Sequence, residues 1–225
     1  MDRSKCVILV TYGVLGIEPE CERGLRELET RGYVVRRRAG SAIDLARSQM
    51  ATEALDDGFD EILWIDADVV FDPDDVDRLR AHGLPFVSGI YPKKGERAIA
   101  SNVVGGTKRI VFGEGGGLVE IAFAAAGFIL CKREVYERMA ERLPVCNEGF
   151  GRRVIPFFMP TVGLRDGKPW YLGEDFAFSA RARELGFTIL ADTKIRLQHI
   201  GRYMYSWEDA GSALPRYETF TLELS

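Results

Sequence analysis

Glu61-Ile62-Leu63-Trp64-Ile65-Asp66-Ala67-Asp68 is an apolar run closed by two carboxylates one residue apart. Ile62 to Ile65 read as a strand buried on both faces. Side chains alternate along a strand, so Asp66 and Asp68 are expected on one side, where the strand leaves the sheet. Such a pair of hard oxygen donors suits Mg²⁺ or Mn²⁺, which nucleotide enzymes share between a few carboxylates and substrate phosphates. The plain alternative is that the two acids only end the strand, and an isolated D-x-D does not separate the two. Just beyond, Asp72 reads as the N-cap of a helix that starts at Pro73, so Asp74, Asp75 and Asp77 need no role beyond complementing the helix dipole.

Upstream, Cys6 to Val10 is a continuous apolar strand ending at Thr11-Tyr12-Gly13. A helix follows from Glu18 to Arg31, stopped by Gly32, and Tyr33-Val34-Val35 gives a second strand. Ala46, Met50 and Ala54 then recur at helical spacing before Gly58. Strand, helix, strand, helix, strand predicts a mostly parallel sheet with helices on both faces, an α/β fold. In such sheets ligands bind outside the carboxyl ends of the strands, which would gather Thr11, Tyr12, Asp66 and Asp68.

Downstream, Pro85 to Gly89 reads as a short strand and Tyr91 to Gly117 as glycine-rich hairpins and loops. Val119 to Cys131 reads as a long strand region. Its Ala124-Ala125-Ala126-Gly127 would admit close approach of a ligand or a packed helix. Arg133 to Leu143 is a helix. Residues 144–172 read as a loop long enough to serve as a lid or binding surface. Its Phe157, Phe158, Trp170 and Tyr171 would either stack on a sugar or pin the loop to the core, with Trp170, four residues before an acidic pair, the preferred contact. That pair lies in Gly173-Glu174-Asp175, which opens a helix ending at Gly186. After the strand Phe187 to Ala191 comes His199, an available imidazole ligand, whereas His82 reads as a surface residue.

The chain has 225 residues, 46% of them hydrophobic, enough for one substantial core and one domain. A net charge of −4 argues against a nucleic-acid-coating surface, and Arg36-Arg37-Arg38 reads as a solvated strand end in preference to an anion site. Cys6, Cys21, Cys131 and Cys146 have neither disulfide-framework nor zinc spacing and read as reduced thiols. No signal peptide or transmembrane segment is visible, and a cytoplasmic protein is the expectation.

Taken together, the strand ending in D-x-D, the G-E-D opening a helix and the histidine after the next strand resemble nucleotide-sugar glycosyltransferases of the GT-A fold, of the family 2 type. Ala46-Arg47-Ser48, Ser88-Gly89-Ile90-Tyr91 and Ala126-Gly127-Phe128 add to the resemblance, which spans nearly the whole chain. It implies a single Rossmann-like domain, with residues 1–110 holding a UDP- or GDP-sugar and 111–225 an acceptor. It also implies a hexosyltransferase using Mn²⁺ or Mg²⁺. By the same resemblance, Asp66 would contact the ribose or the metal, while Asp68 and His199 would ligate the metal. Asp175 would be the general base of an inverting reaction, with Glu174 supporting the acceptor. Thr11 and Tyr12 would cradle the base, Arg47 would reach the nucleotide or diphosphate, and Trp170 and Gly127 would lie against substrate. No acceptor code is legible in residues 144–172 or in Tyr203 to Ser225.

Two other classes stay open. Ile65-Asp66-Ala67-Asp68-Val69 also resembles the first motif of haloacid-dehalogenase-type phosphatases, with Asp66 as nucleophile, although that motif usually ends the first strand. Phosphate release from monoesters would reveal it. A nucleotide-sugar-binding protein without turnover would instead show binding and no product.

Overall fold

The computed structural model describes residues 2–40, 42–149, 151–201 and 203–210; most of the segment Tyr203 to Ser225 therefore lies outside the described residues. In chain order the elements are β1 (Cys6–Tyr12), α1 (Pro19–Thr30), β2 (Val34–Ala39), α2 (Ile43–Asp56), β3 (Glu61–Ile65), β4 (Val69–Val70), α3 (Pro73–Ala81) and β5 (Phe86–Ser88). Then come β6 (Asn102–Val103), β7 (Leu118–Phe123), β8 (Phe128–Lys132), α4 (Arg133–Ala140), β9 (Thr161–Arg165), β10 (Lys168–Leu172), α5 (Glu174–Glu184), β11 (Leu190–Asp192), β12 (Gln198–Ile200) and β13 (Met204–Tyr205).

The fold is α/β, built on an eight-stranded sheet ordered β2-β1-β3-β8-β5-β11-β7-β6. β1 pairs in parallel with β2 and β3, and β5 with β11, whereas β8 lies antiparallel between β3 and β5 and β7 antiparallel between β11 and β6. All strands except β7 and β8 therefore run one way, which gives the mostly parallel sheet the sequence predicts.

Alternation along β1 and β3 explains why both read as continuous apolar runs. Val7, Leu9, Ile62 and Trp64 face a core shared with Met50 and Ala54 of α2, Tyr136 of α4 and Phe178 of α5. Cys6, Ile8, Val10, Leu63 and Ile65 face the opposite core, shared with Leu25 and Leu28 of α1 and Val76 and Leu79 of α3. Helices thus cover both faces, as a parallel sheet requires. Asp72 caps α3, its side chain accepting the amide of Asp74 at 2.9 Å, with Pro73 next in line.

Three expectations need correction. The Val119 to Cys131 region is two strands, β7 and β8, separated by Ala124–Gly127, because the small residues form a bend where a longer strand was expected. Residues 144–172 are not one loop. Their second half is a β-hairpin, β9 paired antiparallel with β10 around Asp166-Gly167, where both residues have positive φ. Their first half is pinned to α2, since the amides of Ile155 and Phe158 donate to Thr52 and Ser48 hydroxyls at 3.0 and 3.1 Å. Phe157 and Phe158 are fully buried, Phe158 stacking on Phe178 with ring centroids 4.4 Å apart, so they belong to the core. Finally, His82 is no plain surface residue: its Nε2 lies 2.9 Å from the buried carboxylate of Asp192.

Arg36, Arg37 and Arg38 on β2 are ion-paired with Asp57, with Glu22 and Glu29, and with Glu53, respectively, which leaves no anion site there. All four cysteines are free thiols, and burial pushes those of Cys6 and Cys21 up to about 12. Among the described residues no helix is long and apolar enough to cross a membrane.

Gly89 sits where β5 leaves the sheet, and a Cβ there would stand 2.5 Å from Leu197 Cδ1 and 3.1 Å from Phe128 Cδ1, both in the closed core. Gly89→Ala is expected to lower stability by about 1–3 kcal/mol in urea unfolding, the usual range for overpacking.

Candidate functional site

The site forms at the carboxyl ends of β1 and β3. After β3 the chain turns at once, the amide of Val69 donating to the carbonyl of Asp66 at 3.1 Å. Asp66 and Asp68 therefore lie in a turn, where strand alternation no longer applies, and their carboxylates take different partners. Asp66 pairs with the guanidinium of Arg47; Asp68 pairs with Lys94 and faces His199. Both still line one cavity of about 700 Å³ with Thr11, Tyr12, Ile43 and the Gly13–Gly16 turn. The amide of Glu18 donates to the carbonyl of Ala67 at 2.8 Å, tying the segment after β1 to the turn after β3. Thr11 is buried, and its hydroxyl has no hydrogen-bond partner among the described residues.

His199 arrives by strand pairing. β12 lies antiparallel to β4, with His199 opposite Val69, and the amide of Ile200 donates to the carbonyl of Asp68 at 2.8 Å. The ring packs edge-on against Tyr91 at 5.0 Å. Nδ1 lies 2.9 Å from the carbonyl of Pro92, which can only accept, so Nδ1 carries a proton and Nε2 is turned toward Asp68 Oδ1, 3.4 Å away. Burial works to raise the Asp68 carboxyl, but hydrogen bonds from His199 and Lys94 outweigh it and hold the group below the usual range.

A second cavity, of about 470 Å³, shares Lys94 and His199 with the first and adds Tyr91, Lys93, Ala125, Gly173, Asp175 and Phe176. Asp175 stands in the first turn of α5, where Gly173 is the N-cap and no side chain caps the helix. Its Oδ1 accepts the amide of Phe176 at 2.7 Å. Burial pushes its carboxyl up to about 6, and the neighbouring charge of Glu174 adds to the rise. A carboxylate tuned this way is suited to taking a proton near neutral pH.

Behind both cavities lies Arg47. Only 2% of its side chain is exposed, and the guanidinium joins Asp66 at the end of β3 to Glu174 at the start of α5, the latter at 2.6 Å. Trp64 and Phe158 rings flank it, each centroid 5.9 Å away. So Arg47 turns inward to two carboxylates, where the resemblance implied a reach toward the nucleotide or diphosphate. Its charge is consumed within the protein, and Glu174 faces Arg47 where an acceptor contact was expected. Gly127 also turns inward: a Cβ there would stand 2.4 Å from the Tyr91 hydroxyl and 2.9 Å from Asp66 Oδ2, so the close approach is made by the chain itself. Trp170, half-buried on β10, packs edge-on against Phe123 at 5.5 Å and against Phe176 at 6.2 Å, and borders neither cavity.

Asp66, Asp68 and His199 do not gather as three ligands, and among the described residues no three His, Cys, Asp or Glu side chains stand close enough to hold a metal ion. Asp68 and His199 by themselves do fit one. Two neighbouring ligands of a cation bonded at ~2.1 Å stand ~3 Å apart, close to the 3.4 Å between Asp68 Oδ1 and His199 Nε2. The donor set of one carboxylate and one neutral imidazole, with phosphates and water completing the shell, suits Mn²⁺ or Mg²⁺. Lys94, which sequence reading did not single out, occupies the other carboxylate oxygen of Asp68. The only local signal was its place in Lys93-Lys94-Gly95, within the glycine-rich stretch after β5.

No family model matches the chain. No curated protein matches it either. Among solved structures, A197 from STIV is similar over 95% of this chain and 99% of its own, at 15% identity and a TM-score of 0.57. That likeness concerns the fold. GalNAc-T7, solved with UDP, GalNAc and Mn²⁺, aligns with 90% of this chain at 13% identity and a TM-score of 0.47, and the chain spans 44% of its length. An apo UDP-glucose pyrophosphorylase aligns with 86% of this chain and 75% of its own, at 12% identity and a TM-score of 0.43. The last two likenesses are too loose to bear on activity.

Breaking the Arg47 fork should be costly, because two carboxylates would lose the cation that allows them to converge. Arg47→Met is expected to destabilise by roughly 3 kcal/mol in urea unfolding. Arg47→Lys should recover only part of this, since one ammonium does not span both acids as a guanidinium does.

Proposed function

We propose that this chain is a metal-dependent glycosyltransferase that moves a sugar from a nucleoside diphosphate sugar to an acceptor hydroxyl. One observation carries the proposal: the cavity holding Asp66 and Asp68 and the cavity holding Asp175 meet at His199 and Lys94. A donor in the first and an acceptor in the second would have their reacting ends at that junction. The first cavity has room for a nucleotide, apolar walls from Val14, Leu15 and Ile43, and Thr11 and Tyr12 where β1 ends. Residues up to about 110 supply most of that cavity, and Asp175 and Phe176 come from the later half.

Departure of a nucleoside diphosphate leaves negative charge on phosphate oxygens, and a divalent cation held by Asp68 and His199 would supply Lewis-acid stabilisation of that charge. The protein's own residues do the rest. Asp68 and His199 fix the position, the Pro92 carbonyl keeps the imidazole in the tautomer whose Nε2 faces Asp68, and Asp175 accepts the proton of the acceptor hydroxyl. Asp66, held by Arg47, keeps one carboxylate edge on the cavity and is placed to meet a ribose hydroxyl.

The phosphatase alternative gains nothing from this geometry. Asp66, the nucleophile of that reading, is tied to the buried guanidinium of Arg47.

Calorimetry with UDP and GDP tests the donor site. Binding should need Mn²⁺ or Mg²⁺, vanish in chelator and weaken strongly in His199→Ala; equal affinity in chelator would remove the metal from the site. A panel of nucleotide sugars, read as nucleoside diphosphate release, would name the donor, whereas pyrophosphate release from a nucleoside triphosphate and a sugar phosphate would point to nucleotidyl transfer.

Asp175 gives a pH test. As general base it must be ionised, so kcat/KM should rise with pH through about 6, where its carboxyl titrates. Asp175→Asn should abolish that inflection and slow transfer by about a hundredfold or more while donor binding persists. Stability moves oppositely. The folded carboxyl holds its proton up to about 6 against an ordinary value of 3.8, so its contribution is present at low pH and lost as pH rises through that window. At pH 7 Asp175→Asn should therefore melt at or above wild type. Near-normal turnover in this variant would transfer the base role elsewhere, or indicate a retaining reaction.

A further inference from the structure

Lys94 lies on a tight loop closed by the Pro92–Ile99 bridge and by the amide of Lys93 donating to the carbonyl of Ala98 at 2.8 Å. Its aliphatic stem runs across Gly201, where a Cβ would stand 3.2 Å from Lys94 Cδ. The ammonium is thereby aimed at Asp68 Oδ2, while His199 Nε2 faces Oδ1 of the same carboxylate. Lys94 also borders both cavities. Nε2 and a carboxylate oxygen face each other across 3.4 Å, close to the separation of two ligands of one cation, and the Lys94 ammonium already sits on the other oxygen of that carboxylate.

We propose that Lys94 is the resident counter-ion of Asp68 and competes with the divalent cation for that carboxylate, moving to the donor's diphosphate when the cation arrives. The proposal rests on the metal-dependent donor site described above. A +1 ammonium and a +2 ion repel each other strongly at contact distance, so the two do not share Asp68 at full strength. A diphosphate resolves the conflict by giving Lys94 a new anionic partner. Cation and nucleotide consequently bind cooperatively, each raising the affinity of the other by the same factor. The protein alone then has low affinity for the metal and assembles the complete site only with the donor.

Calorimetric titration of Mn²⁺ into nucleotide-free protein tests this, comparing wild type with Lys94→Met, which keeps the stem over Gly201 and removes the charge. The expected result is a gain of about tenfold in Mn²⁺ affinity in Lys94→Met, with loss of most of the coupling between Mn²⁺ and UDP or GDP. Lys168→Met, which removes an exposed lysine on β10 that borders neither cavity, should match wild type. Mn²⁺ affinity that is unchanged or lower in Lys94→Met, with measurable binding in wild type, would overturn the role of Lys94 and leave the Asp68–His199 site standing. Absence of Mn²⁺ binding in wild type and in folded Lys94→Met alike, with or without nucleotide, would overturn both.

Discussion

The buried guanidinium of Arg47 is the interaction on which the rest of the site depends. It connects Asp66, where β3 ends, 19 positions further along the chain, to Glu174, where α5 begins, 127 positions further along. Two carboxylates and the nearby Asp175 would repel one another so close together, and their desolvation would be costly without a cation among them. Arg47 provides that charge from α2, between the rings of Trp64 and Phe158, in a geometry that a single fork can satisfy at both ends. With Glu174 and Asp66 held, Asp175 is left beside Glu174 without an ion-pair partner among the described residues, and its carboxyl rises into the range useful for proton transfer.

A second constraint is the short sheet of β4, β12 and β13. Pairing of β12 with β4 brings His199 opposite Val69 and ties Ile200 to the carbonyl of Asp68. The approach of His199 to Asp68 is therefore set by backbone hydrogen bonds, which are stiffer than a side-chain contact from a free loop. The same arrangement places the Pro92–Ile99 loop over Asp68, bringing Lys94 and the Pro92 carbonyl to the two sides of one carboxylate–imidazole pair. The two cavities meet at this pair, and the proposed transfer would take place at that junction.

Much of the architecture was legible because apolar periodicity reports which faces of an element are buried. Cys6 to Val10 and Ile62 to Ile65 are apolar at every position, and each proved to be covered on both faces. The long stretch from 144 to 172 was not legible as half core segment and half hairpin. Phe157 packs on Tyr136 and Phe158 on Trp64 and Phe178, all outside the stretch, and the hairpin turns on Asp166-Gly167, a signal weaker than the length of the stretch around it. Likewise Val119 to Cys131 is apolar apart from Glu120, and only the tertiary pairing, β7 with β11 and β6 and β8 with β3 and β5, separates the two strands.

By itself the sequence determined the α/β alternation, the burial of β1 and β3, the cap at Asp72, and the gathering of Thr11, Tyr12, Asp66 and Asp68 at the strand ends. All of these follow from local spacing and from the rule that strand ends of one direction share an edge. Only the tertiary structure decided where each charge goes. It turned Arg47 inward to Asp66 and Glu174, parted Asp66 from Asp68 through a turn, seated Lys94 on Asp68, and filled the space beside Gly127 with Tyr91. Ion-pair partners are chosen by distance and desolvation in the folded molecule, and a charged residue's neighbours along the chain do not record which opposite charge, a hundred residues on, it will meet.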